Sequence, residues 1–138
     1  MKNLNLKSIL LAGFIGTMMF DVFGFIMMGQ WWDIPALLSG KMSAPLAVGV
    51  IAHYMNGFFL ALLFSVSKDF LLGPNWLRPL LFISIQTVVI VWLFMFPMLD
   101  LGIGGIKGGM MMPIASLMRH WVFAAPMIFI FREKNLTK

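Results

Sequence analysis

The sequence predicts an all-α integral membrane protein, an up-down-up-down four-helix bundle with a short outer interfacial helix. Three observations lead there. Of 138 residues, 61% are hydrophobic and 11% charged, whereas soluble domains hold roughly 45–50% apolar and about 25% charged residues. Four apolar stretches, near 8–30, 45–66, 77–99 and 111–131, are each long enough to cross about 30 Å of hydrocarbon at about 1.5 Å per residue. Short breakers separate these stretches, so successive spans run antiparallel, and no linker divides residues 1–138, which read as one domain.

The first span begins after Lys2 and Lys7, in the manner of a signal peptide. Its apolar run continues to about Gln30, contains Asp21 and lacks an A-x-A site, so it reads as an uncleaved span. Gly13, Thr17, Asp21 and Gly24 recur at helical spacing and share one face. The segment 31–40 carries its own punctuation: Asp33 as a cap, Pro35 in a first turn and Gly40 as a stop. It reads as an interfacial helix that seals the bundle, with a lid over the polar residues as the other reading.

The second span repeats the small-residue device with Gly49, His53, Gly57, Ala61 and Ser65, and Asn56 stands beside that stripe. After a Gly73-Pro74 turn, the third span places Ser84, Gln86 and Thr87 toward its cytoplasmic end and Pro97 near the other. The glycine-rich run 100–109 lacks the G-K-[ST] ending and the preceding strand of a phosphate loop, and reads as a flexible outer turn. The last span offers Ser116, His120 and Ala124, with Arg119 one step round. Small and polar stripes of this kind belong at helix contacts, where backbones approach closely and polar groups bond across the seam.

Basic residues give the orientation. Lys2, Lys7, Lys68, Arg78, Arg132, Lys134 and Lys138 fall on one side, Lys41 and Lys107 on the other, which puts both termini in the cytoplasm. Topology thus accounts for the net charge of +5, and a nucleic-acid partner is not needed. Trp31, Trp32 and Trp76 sit at span ends as interfacial anchors. The chain has no cysteine, which removes disulfides and thiolate chemistry.

Asp21, His53, Asn56, Arg119 and His120 come from three spans and, counted inward from the outer ends, lie at one depth. An ionised group there costs roughly 2.5–3.5 kcal/mol without a partner. The leading expectation is a buried network in which Asp21 neutralises Arg119, while His53, Asn56 and His120 complete the hydrogen bonds. Two other readings use the same residues. His53 and His120, on diagonal helices, could ligate a b-type haem with Arg119 on a propionate. Asp21, His53 and His120 could instead converge on a metal or relay protons. A small ligand or lipid within the bundle is a further alternative, and the Met110-Met111-Met112 triple is a weak copper candidate.

No G-x-S-x-G, H-E-x-x-H or dinucleotide signature occurs, and there are only five acidic residues, so catalysis has no positive support. The expectation is therefore a non-catalytic accessory or scaffold protein, as a subunit of a larger membrane assembly or a homo-oligomer touching its partners along lipid-facing helices. The alternative is a haem-, metal- or proton-handling protein centred on His53 and His120.

The Gly-rich first span, D-I-P-A-L-L at 33–38, A-H-Y-M-N-G-F-F at 52–59 and a second histidine in the last span together resemble a family of small, uncharacterised bacterial four-span inner-membrane proteins, a domain of unknown function. The resemblance covers most of the chain. It implies the four-span architecture and a bacterial cytoplasmic membrane, and it brings no activity or site residues with it. Asp21 lies outside the resembling motifs.

Overall fold

A computed structural model describes residues 5–132, whose regular structure is all helical, without a strand among them. Lys2, Lys134 and Lys138, which enter the charge count, lie outside the described residues. Helix α1 spans Leu6–Met28, α2 Asp33–Lys41 and α3 Leu46–Ser67. Helix α4 runs over Arg78–Met98, and α5 over Met112–Ile130. The four long helices are long and apolar enough to cross a membrane. Their exposed faces carry Ile26, Ile51, Phe59, Ile85 and Phe129, the belt of apolar side chains that such a chain turns outward.

Helix α1 starts where the Asn5 side chain accepts the Ser8 amide, and it ends where Gly29, at φ 70°, returns its amide to the Phe25 carbonyl. Both caps satisfy amides or carbonyls that the helix leaves open. Helix α1 is the central element, packed on α3 on one side and α5 on the other, with α4 laid against α5. Glycines permit those approaches. A Cβ on Gly13 would run into Phe58, and one on Gly16 into the Phe123 carbonyl. The sequence stripe contained Gly13 but passed over Gly16, which lies on the face turned to α5.

Helix α2 packs on the first turns of α3, where Gly49 receives the Pro35 carbonyl and the Ser39 side chain. Its start differs from expectation. Trp32, at φ 59°, is the capping residue and makes no side-chain cap bond, and Asp33 is the first helical residue. The helix also runs through Gly40 to Lys41, and the chain turns instead at Ser43.

Helix α4 is composite: α-helical over Arg78–Gln86, π-helical over Thr87–Met95 and α-helical again over Phe96–Met98. It meets α3 closely only near the turn that joins them, so the bundle is a row with a gap between α3 and α4. Packing fills the end away from α2, where Ile9, Ala12, Leu60, Phe64, Ile83, Phe123 and Met127 form the core. The glycine-rich run forms a defined 3-10 turn over Ile103–Gly108, where the flexible-turn reading did not place one. Gly104 and Gly105 hold positive φ there, and Gly105 lies flat against Phe96 and Met112, a conformation and a closeness that favour glycine.

Candidate functional site

In the half of the bundle nearer α2, polar side chains from α1, α3 and α5 surround the ring of Phe20. Asp21, 2% exposed, points from the small-residue face of α1, and its Oδ1 accepts a hydrogen bond from His53 Nε2 at 3.0 Å. The other carboxylate oxygen, Oδ2, is buried without a partner. Phe20 packs against His53 and His120 together, with ring centroids 5.5 and 5.1 Å away. Arg119, 6% exposed, lays its guanidinium over the same phenyl ring, 4.2 Å from its centroid.

The partner of Arg119 is Asp33, not Asp21. Nη1 donates to Asp33 Oδ2 at 2.5 Å and Nη2 to Oδ1 at 2.8 Å, a two-pronged pairing that suits a planar guanidinium. The correction has a directional cause. Side chains on a helix tilt toward its N-terminus. Helix α5 starts at the α2 end, so Arg119 reaches toward α2, whereas α1 starts at the opposite end and tilts Asp21 the other way. Gly24 makes room, since a Cβ there would overlap the guanidinium. Burial pushes the Asp33 carboxyl up, but the Arg119 hydrogen bonds and charge, with the Ile34 amide, outweigh that and hold it below its ordinary value.

Two further members of the expected network stand apart. His120 is half-buried and bonds to its own helix, Nδ1 donating to the Ser116 carbonyl at 2.7 Å. Because a carbonyl only accepts, Nδ1 carries the hydrogen, so that in the neutral ring the lone pair is on Nε2, which has no protein partner. Asn56 is exposed on the face beside His53 and makes no side-chain hydrogen bond, so it is not part of a buried network. The polar layer consists of separate couples gathered round Phe20: Asp21 with His53, Arg119 with Asp33, and His120 with Ser116. Ser116 Oγ also accepts from Trp92 Nε1 at 2.8 Å and donates to the Pro113 carbonyl, which ties α4 to α5.

This arrangement does not suit an iron clasped between two histidines. His53 directs Nε2 to a carboxylate, and Phe20 lies against both imidazoles. Nor do Asp21, His53 and His120 converge as ligands, for among the described residues no group of three His, Asp or Glu side chains could hold a metal ion. The haem and metal readings both assumed that residues at one depth also face one point. The helix rotations turn His53 Nε2 onto Asp21 and leave His120 bonded to its own helix, although both rings border one cavity.

The gap between α3 and α4 is a cavity of about 510 Å³. Its walls are mainly apolar, with Leu60 and Ala52 from α3, Ile90, Val91 and Met95 from α4, and Ile34, Leu37 and Leu38 of α2 above. His53, Asn56, Gln86, Arg119 and His120 supply its polar points. Gln86, expected toward the far end of its span, stands near the height of His120. Two residues before it, Ser84 accepts from the indole of Trp121, the neighbour of His120. The carbonyl oxygen of Gln86 is buried with no hydrogen-bond partner.

Sequence reasoning missed Asp33, Phe20 and Gln86. Asp33 was legible in principle, because an arginine on the last span must reach toward that helix's start, where segment 31–40 lies. No family model, curated protein or solved structure matches this chain.

Proposed function

We propose that the chain is a multi-pass membrane protein of non-catalytic, accessory character that holds a small amphipathic molecule in the gap between its second and third spans. The cavity carries this reading. At about 510 Å³ it falls within the roughly 300–1,000 Å³ range of small-molecule sites, and it combines apolar walls with a few polar groups in the way that such sites do. The gap faces the side where acyl chains would lie, so a molecule could enter laterally and leave an apolar tail among the lipids. The bias of basic residues toward the terminus-bearing end, together with the family resemblance, supports a bacterial cytoplasmic membrane with both termini inside.

The test is native mass spectrometry of protein extracted in a mild detergent. A defined small molecule should accompany the wild type and be lost from Ala115→Trp, which fills the cavity from the α5 wall. Wild-type protein that arrives empty, or Ala115→Trp that keeps the same molecule, would overturn the proposal.

A further inference from the structure

We infer that the occupant is a neutral amphiphile whose head bears hydroxyl groups, and that this head sits at the height of Gln86 and His120. The inference rests on the cavity reading above and specifies its chemistry. One group at that height needs a partner and two more can take one. Gln86 Oε1 is buried and unbonded, and His120 Nε2 presents a lone pair because Nδ1 is committed to the Ser116 carbonyl. Asn56, opposite on α3, has no side-chain hydrogen bond. A buried polar atom without a partner costs about 1–3 kcal/mol, which a bound molecule can recover.

The required partner must donate. A lone pair on imidazole and an amide carbonyl both accept, so a ligand that only accepts leaves them unsatisfied. A hydroxyl donates to either and can also accept from the Asn56 or Gln86 amide nitrogen, whichever way those amides are turned. A carboxylate head lacks the proton. Its charge would also lack a counter-ion, because the arginine in the cavity wall is already neutralised by Asp33; the one guanidinium donor left unbonded, the buried Nε–H, can be met by a hydroxyl oxygen as well. A neutral head avoids the desolvation cost of a charge brought into an apolar wall.

The remainder of the cavity is suited to an apolar body. Above the polar height lie Met27, Leu37, Leu99 and Met112, flexible or branched apolar chains that adapt to a hydrocarbon. Two sources share this head chemistry: a reduced quinone with an alkyl or isoprenoid chain, and a glyceride with free hydroxyls.

Thermal shift and calorimetric titration of the purified full chain in detergent can test the assignment with four probes: decyl-hydroquinone, 1-monolaurin, laurate and dodecane. One or both hydroxyl probes should bind saturably, at least tenfold tighter than laurate or dodecane, and the tighter of the two identifies the source. Gln86→Leu should weaken that binding about tenfold, the equivalent of about 1.4 kcal/mol, without lowering the melting temperature of the unliganded protein. Asn56→Leu, on an exposed and unbonded side chain, gives a second reading should Gln86→Leu fail to fold. Equal binding of laurate or dodecane, or unchanged hydroxyl binding in the folded variants, would overturn the assignment and leave the cavity reading standing. If no probe binds, the assignment falls, and the native mass spectrum of the wild type and Ala115→Trp decides the cavity reading separately.

Discussion

Replacing Asp33 by alanine gives a direct test of the charge pairing, because it strands Arg119 in a setting that water hardly reaches. The paired side chains are 18% and 7% exposed for Asp33 and Arg119. Removing one partner of a buried ion pair costs about 3–5 kcal/mol, and the partial exposure of Asp33 places the loss near the lower end, at about 3 kcal/mol. Asp21→Ala removes one side-chain hydrogen bond, the one to His53, a loss of about 1–2 kcal/mol. The order is the reverse of what an Asp21–Arg119 pair demands. Unfolding by dodecyl sulfate titration in mixed micelles measures both. The double variant Asp33→Leu with Arg119→Met should recover most of the loss, since an apolar pair avoids desolvating two charges. A larger loss for Asp21→Ala than for Asp33→Ala, or a double variant no better than Asp33→Ala alone, would refute the pairing.

Acid should reveal the same pair. The folded Asp33 carboxyl titrates below its ordinary value of 3.8, so its contribution is full above that value and fades as the pH falls through the folded one. Asp33→Asn should therefore flatten the acid side of the stability profile, and a profile identical to wild type would count against it. Gly49→Ala should lose about 1–3 kcal/mol because its Cβ meets the Pro35 backbone carbonyl and must lift α2. Gly40→Ala, inside α2 with open space at its Cβ, should be neutral or gain about 0.5–1 kcal/mol. The same unfolding titration separates these two. Lys41→Ala should leave the midpoint unchanged, because its bond to Asp100 joins two exposed groups.

The helices were legible and their partners were less so, for a physical reason. Span length and hydropathy depend on local composition, so the four long helices emerge within about two residues of the stretches read from the sequence. Which residues pair depends on rotation about each axis and on side-chain direction. Asp33 shows the difference. Beside Trp31, Trp32 and Pro35 its local surroundings read as a helix cap, yet its carboxylate binds a guanidinium 86 positions away. Asn56 shows the converse, since it neighbours a buried histidine in sequence but faces the cavity instead of the seam. The cavity itself had no sequence signal, because it results from two helices that meet only near the turn joining them.

The widened stretch of α4 settles a question of angular phase. Thr87 and Phe96 are both buried although nine positions apart. On an α-helix at 3.6 residues per turn, nine steps of about 100° rotate a side chain by roughly half a circle and put the two on opposite sides. With one more residue closing each turn, about 80° per step, nine steps come nearly full circle and bring them back into line. Removing one residue from 88–94 would let ordinary winding return and swing Phe96 out of its contact with Gly105. The loosened winding is thus the device that lets a single continuous rod keep one buried side from Thr87 to Phe96 and bring its far end onto the glycine turn.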